Sequence, residues 1–306
     1  MAKSAQIRVF DVEDPASQTK TTFSGKRLSC KIICGDSRDI IPRLEDKVDL
    51  IVTSPPYADA RKRHYDSIPP GEFSSWFLSF HEALYGVLKD DGNFVLNIKD
   101  RVVSGVRHRF VWQTILALEE KGWKSIDDYI WQKTNPMPGR WPTRLRDGWE
   151  YCFHLAKTEK PFMNQDAVKI PIGEWAQVRL TNLNGKSAAR HNSENLSGFG
   201  RDLRKWVGKK DVLPSNVISL PLVGVNEGHP AVFPIGLPLF FIKLFSKEKE
   251  VVLDPFGGSG TTAIAALSER RNCILVDNNK KYCEIALNRI EENFARKGVQ
   301  ILTEGF

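Results

Sequence analysis

Two short stretches carry residue types that could do chemistry. The first is Thr53-Ser54-Pro55-Pro56-Tyr57, placed where an apolar run over residues 48–52 stops. Leu50, Ile51 and Val52 read as a buried strand, and two prolines cannot continue a sheet ladder, so a rigid turn must follow. The turn projects Ser54 and Tyr57 from a strand end, which is where open α/β sheets bind ligands. A hydroxyl, prolyl carbonyls and an aromatic face held there suit a flat, amine-bearing group such as a nucleobase. An ordinary strand-terminating turn is the alternative, because so short a motif also arises by chance.

The second stretch is Asp254-Pro255-Phe256-Gly257-Gly258-Ser259-Gly260-Thr261-Thr262. It follows an apolar strand over 251–253 and opens a helical pattern over 263–268. Glycines at such a turn let the backbone approach a ligand, and a helix N-terminus offers free N–H groups. A phosphate-cradling loop of the Walker kind is excluded, since no Lys follows the last glycine, and the dinucleotide pattern G-x-G-x-x-G is not matched cleanly.

Together the two stretches resemble the amino-group DNA methyltransferases, in which S/D-P-P-Y/F is the catalytic motif and D-P-F-x-G-x-G-T-T binds S-adenosylmethionine. The catalytic motif comes first and the cofactor motif follows two hundred residues later, from Ser54 to Asp254. That order resembles the circularly permuted β class. Serine at the head of the motif resembles members that methylate cytosine N4, where aspartate would suggest adenine N6.

The resemblance implies catalytic roles for Ser54, Pro55, Pro56 and Tyr57. It implies cofactor binding by Asp36, Phe233, Pro234, Asp254, Pro255, Phe256, Gly257, Gly258, Ser259, Gly260, Thr261, Thr262 and Asp277. Methyl transfer to an exocyclic amine needs alignment and stabilisation of positive charge growing on nitrogen. The base must first leave the duplex stack, Tyr57 would stack on it, and the Ser54 hydroxyl and Pro55 carbonyl would accept the two amine hydrogens. No covalent intermediate is required. Serine carries no charge, so the acceptor of the departing proton stays unidentified.

The elements around these stretches read as alternating strands and helices. Strands are expected over 31–34, 48–52, 93–98, 126–132, 151–155, 251–253 and 273–276. Helices are expected over 73–88, 110–121, 236–245 and 279–297, with a turn at Asp90-Asp91-Gly92. The expected fold is α/β, a Rossmann-like S-adenosylmethionine-dependent methyltransferase with a mostly parallel twisted sheet, helices on both faces and an inserted DNA-recognition region. Its organisation is expected to be an N-terminal arm (1–28), a catalytic half (29–156), a target-recognition insert (157–225) and a cofactor-binding half of the same core (226–300).

Several residues keep two readings. Asp36 at a strand end suits either a ligand or a helix cap, and so does Asp277, which could accept both hydroxyls of a ribose. Trp131 and Tyr129 precede Lys133, Asn135, Pro136 and Pro138, a pattern that resembles the family's base-pocket segment. These aromatics either stack on the base or belong to the core. The pattern from Gly228 to Pro234 resembles the family segment before the cofactor motif, and His229 receives no catalytic role.

The chain has 306 residues and a formal net charge of +7, which favours a polyanionic partner. The window 157–211 holds eleven Lys and Arg against six Asp and Glu. Such an aperiodic basic insert suits DNA reading, a surface insertion with incidental charge being the alternative. Candidate DNA contacts are Arg61, Lys62, Arg63, Arg140, Lys186, Arg190, Arg201 and Arg204, with His191 and Lys205 beside them.

The five cysteines are scattered and odd in number, which reads as reduced thiols serving as small hydrophobes. No second Cys/His pair accompanies Cys30 and Cys34, so no metal is expected. The first twenty residues lack a signal core or membrane span, pointing to a soluble protein of a bacterial or archaeal cytoplasm. The expected partners are double-stranded DNA and, in a restriction-modification system, a separate cognate endonuclease. The enzyme itself would be a monomer or homodimer. Methylation of adenine N6 is the nearest alternative, and a catalytically silent nucleic-acid-binding protein of the same fold is the other.

Overall fold

The computed structural model describes residues 8–9, 27–58, 68–182, 189–190, 201–223, 233–294 and 297–306. The chain divides into two compact units, one formed by Met1–Asn164 and Asn216–Phe306, the other by Gln165–Ser215.

The first unit is built on a ten-stranded sheet. Its strands in chain order are β1 (Arg8–Val9), β2 (Ser29–Cys34), β3 (Val48–Thr53), β4 (Leu88–Ile98), β5 (Lys124–Lys133), β6 (Trp149–Ala156), β7 (Val217–Leu220), β8 (Val251–Asp254), β9 (Asn272–Asp277) and β10 (Gln300–Glu304). The spatial order is β1-β10-β2-β9-β8-β3-β4-β6-β5-β7. Every neighbouring pair is parallel except those of β6, which runs antiparallel to both β4 and β5. The sheet is therefore mostly parallel, with a short parallel edge strand, β7, inside the stretch where the sequence pattern indicated none.

The helices of this unit are α1 (Ser37–Ile40), α2 (Phe73–Leu78), α3 (His81–Val87) and α4 (Phe110–Glu120), followed in the second unit by α5 (Glu174–Thr181). The first unit then continues with α6 (Gly236–Phe245), α7 (Thr261–Ser268) and α8 (Lys280–Phe294). Alternate residues of the central strands are buried on both sides, as a parallel sheet covered by helices requires. Ile51, Phe94 and Leu96 join a core with Phe73, Phe77 and Phe110 of α2 and α4. On the opposite face Tyr129 meets Phe241 and Phe245 of α6 edge-on, and His154 lies 4.1 Å from the Phe245 ring centroid. Burial drives the His154 pKa down to about 3, so the ring is neutral in this core.

Two local expectations give way. The helix expected over 73–88 is broken into α2 and α3, because the Ser79 hydroxyl donates back to the Trp76 carbonyl at 2.6 Å and the Phe80 amide closes a three-residue turn on Phe77. The turn expected at Asp90-Asp91-Gly92 is part of β4, which starts at Leu88. An irregularity in the pairing with β3 lies at this point, between Val48 and Leu50. A Cβ on Gly92 would stand 2.9 Å from the Asp49 carbonyl oxygen, so glycine lets the two backbones close up there.

The second unit contains α5, a short antiparallel pair of Ile170–Pro171 with Asp211–Val212, and another of Ala189–Arg190 with Arg201–Asp202. No helix among the described residues is long and apolar enough to cross a membrane, and the five cysteines are free thiols.

Candidate active site

Sheet order decides what meets what. Strands β2, β9, β8 and β3 are neighbours and parallel, so their C-terminal residues Cys34, Asp277, Asp254 and Thr53 line up along one edge of the sheet. The loops that leave these strands carry Asp36, the glycine-rich turn and the Ser54-Pro55-Pro56-Tyr57 turn. They enclose one cavity of about 610 Å³. The two stretches singled out two hundred residues apart in the sequence thus form the walls of the same cavity.

Ser54, Pro55, Pro56 and Tyr57 all line it, and so do Asp36, Phe233, Asp254, Pro255, Phe256, Gly257, Gly258, Ser259, Thr261 and Asp277. Pro234, Gly260 and Thr262 stand behind the wall. Pro234 accepts the amide of Leu237 at the start of α6. Gly260 caps α7 in the left-handed region, with φ +80°, where a Cβ would come within 2.9 Å of Ala286 in α8. Thr262 donates its hydroxyl to Asp254 Oδ2 at 2.6 Å.

The glycine-rich turn is held from several sides. Asp254, 2% exposed, accepts hydroxyl protons from Thr53 and Thr262 and the amide of Phe256 at 3.1 Å. Burial pushes its carboxyl up to about 6, against those three donors, which favour the charged form. Arg289 of α8 donates to the Ser259 carbonyl at 2.6 Å, and the Ser37 hydroxyl donates to the Pro255 carbonyl at 2.5 Å. Phe256 packs among Trp76, Phe77 and Phe80.

Asp277 has each oxygen on a backbone amide, Oδ2 on Gly258 at 2.8 Å and Oδ1 on Asn279 at 2.9 Å. Each oxygen keeps a further lone pair. Burial raises the Asp277 carboxyl, and the two amides pull it back down. Asp277 thus fixes the loop and the start of α8, and it also lines the cavity. Asp36 does the same for α1, capping it through the Arg38 amide at 2.9 Å. Its carboxylate also holds the Arg38 guanidinium, the first of the causes that lower its pKa.

The other end of the cavity is polar and was only partly legible. The Tyr57 hydroxyl donates to Glu150 Oε2 at 2.5 Å and lies 3.2 Å from Asn97 Oδ1, while Ser54 Oγ donates to Tyr57 at 3.2 Å. Lys133 Nζ reaches Glu150 Oε1 at 2.5 Å and sits 5.1 Å over the Trp131 ring. Burial first, and then the Glu150 charge, push the Tyr57 hydroxyl well above its ordinary range, so it stays protonated. Trp131 is buried with its ring N–H on the Leu220 carbonyl and lines the cavity, whereas Tyr129 belongs to the core.

Glu150 and Asn97 escaped the sequence reading, and Thr53 was named in it without a role. A signal existed for Glu150: it alternates in phase with Cys152 and His154, the buried face of β6, where a lone carboxylate is out of place.

Among the candidate DNA contacts, Arg140 and Arg204 are exposed, and the backbones of Arg190 and Arg201 pair with each other. Arg61, Lys62, Arg63, Lys186 and His191 lie outside the described residues, as do Gly228 to Val232 of the segment before the cofactor motif. Among the described residues no group of three His, Cys, Asp or Glu side chains could hold a metal ion.

Known proteins with the same arrangement exist. The chain is 28% identical over 284 residues to the type II methyltransferase M.PvuII of Proteus hauseri, covering 85% of this chain and 83% of the relative. It is 26% identical over 314 residues to the type II methyltransferase M.SmaI of Serratia marcescens, covering 90% and 96%. The solved structure of the PvuII DNA methyltransferase (cytosine-N4-specific) superposes with a TM-score of 0.62 at 23% identity, covering 91% of this chain and 98% of that one. A solved M1.HpyAVI–SAM complex superposes with a TM-score of 0.52 at 22% identity, covering 85% and 99%. A family profile described as DNA methylase matches residues 48–288, a span that runs from the strand before Ser54 through the glycine-rich turn and Asp277. Motifs, topology and profile agree, and the chain belongs to the DNA methylase family.

Proposed function

We propose that the protein transfers a methyl group from S-adenosylmethionine to the exocyclic N4 amine of a cytosine flipped out of duplex DNA, as the modification enzyme of a restriction-modification system. The observation that carries this reading is the meeting of Ser54 and Asp277 in one cavity, with an amine-gripping turn at one end and a glycine-rich cradle at the other.

The residues present fit the cofactor. Gly257, Gly258 and Ser259 give close backbone approach, and the spare lone pairs of Asp277 suit ribose hydroxyls. The nearby ring of Phe233 supplies an apolar wall. When bound, S-adenosylmethionine would supply an electrophilic methyl group on a sulfonium, with a neutral thioether as the leaving group. Ser54 Oγ and the Pro55 carbonyl accept the two amine hydrogens and hold the nitrogen lone pair toward the methyl. The Tyr57 ring stacks on the base. Serine at the head of the motif supports cytosine over adenine, and the similarity to relatives such as M.PvuII supports duplex DNA and a separate restriction endonuclease as context. In this reading exposed Arg140 and Arg204 serve as phosphate contacts and the basic unit Gln165–Ser215 as part of the recognition region, which the net positive charge of that unit supports.

The test is incubation with S-adenosylmethionine and mixed-sequence duplex DNA, digestion to nucleosides and mass-resolved chromatography. N4-methylcytosine is the expected product. N6-methyladenine would overturn the base assignment. Ser54→Ala and Tyr57→Ala are expected to cut turnover roughly a hundredfold or more while cofactor binding persists; loss of binding with intact turnover would contradict these roles.

A further inference from the structure

Serine leaves the catalytic motif without a charge, yet the cavity holds one close behind it. Glu150 and Lys133 are both more than nine-tenths buried as side chains, 7% and 8% exposed, and 2.5 Å apart. A buried ion pair contributes little stability over apolar residues of the same volume, because desolvating two charges offsets their attraction. Its place in the cavity wall, with Glu150 touching Tyr57 of the motif, points to a use other than stability.

The hydrogen bonds give the arrangement a direction. Asn97 uses its amide hydrogens on the Tyr151 carbonyl and Cys152 Sγ, so its Oδ1 can only accept. The single Tyr57 proton goes to the shorter contact, Glu150 Oε2 at 2.5 Å, rather than to Asn97 at 3.2 Å. The Tyr57 oxygen then accepts from Ser54, which spends its only proton there. Ser54 is thereby left with lone pairs alone for a ligand in the cavity, which favours an amine and disfavours the carbonyl that thymine carries at the same ring position.

We propose that Glu150 is a positioning residue and proton sink of the reaction, acting on the substrate amine through Tyr57 and Ser54. This rests on the methyl-transfer reading above. Once the N–C bond has formed, the nitrogen carries positive charge and an N–H on Ser54 Oγ. That proton passes to Ser54 as the Ser54 proton passes to Tyr57 and the Tyr57 proton to Glu150 Oε2. One proton leaves the amine, one arrives on the carboxylate, and both hydroxyls are restored. While charge is still growing on the nitrogen, the carboxylate stabilises it along the same line and so supplies what the neutral serine lacks. Among the described residues the charged and titratable groups facing Glu150 are Lys133 from β5, Tyr57 from the turn, and Cys152 from its own strand, the last kept as a neutral thiol by burial.

The experiment is single-turnover methylation of duplex DNA by wild type, Glu150→Gln, Tyr57→Phe and the double variant at saturating DNA and cofactor, with cofactor and DNA affinity measured alongside. Detection of N4-methylcytosine by the wild type tests the underlying reading independently. Glu150→Gln is expected to lower the single-turnover rate about a hundredfold while leaving cofactor and DNA affinity within twofold. Tyr57→Phe keeps the stacking ring and the carboxylate but cuts the chain, and is expected to lose the same factor. The double variant is expected to be no slower than the slower single one, since groups on one path act as a unit. A Glu150→Gln rate within threefold of wild type, a loss that appears in affinity rather than in rate, or losses that multiply in the double variant would each overturn the proposal.

Discussion

Thr53 and Asp254 are 201 residues apart in the chain, yet the Thr53 hydroxyl donates to Asp254 Oδ1 at 2.6 Å, with both side chains almost wholly buried. Thr53 is the last residue of the strand that delivers Ser54, and Asp254 is the last residue of the strand that delivers the glycine-rich turn. The bond therefore couples the two halves of the cavity at their common root.

Replacing Thr53 with valine keeps the volume and removes the donor, leaving Asp254 with two of its three. A buried carboxylate that loses such a partner costs about 1 to 3 kcal/mol. Thr53→Val is expected to lower the urea midpoint accordingly and to weaken cofactor binding, while the slope of the transition stays constant. A variant as stable as wild type in denaturation would show that Asp254 does not depend on this bond.

The carboxyl of Asp254 also gives stability a pH dependence. Burial raises it from 3.8 to about 6 in the fold, so between those values the folded chain holds a proton that the unfolded chain has released. Its contribution to stability is therefore full below about pH 4 and declines as pH rises through about 6. Asp254→Asn is expected to remove that decline, a difference of about 2 to 3 kcal/mol across the window. Unfolding free energies measured from pH 4 to 7 for both proteins check it, and parallel curves would count against the shift.

Gly260→Ala tests the cradle from behind. The position has φ +80°, and a Cβ there would stand 2.9 Å from Ala286 Cβ and 3.2 Å from its Cα, neither of which is a flexible side-chain end. The start of α7 and the flank of α8 must separate. The expected cost is about 1 to 3 kcal/mol, with cofactor affinity falling at least tenfold by titration calorimetry. Wild-type affinity would mean that the turn tolerates the opening.

The two ends of the cavity were legible in the amino-acid order because each rests on a local rule. An apolar run followed by two prolines has to end a strand and turn, and an apolar run followed by glycines and then a helical pattern has to make a strand, a tight loop and a helix N-terminus. Those rules place Ser54, Asp254 and Asp277 at strand ends whichever strands pair with which. The break at Ser79, the early start of β4 at Leu88 and the edge strand β7 depend instead on a back-bonding hydroxyl, a glycine closing on Asp49 and a partner strand nearly ninety residues away at Trp131 and Ile218. The contacts with Glu150 belong to the same class. Only the antiparallel entry of β6 between β4 and β5 sets its carboxylate opposite Trp131 and within reach of Tyr57 and Lys133. Register between distant strands is fixed by the burial of whole faces, a property of the assembled sheet that no short stretch of chain contains.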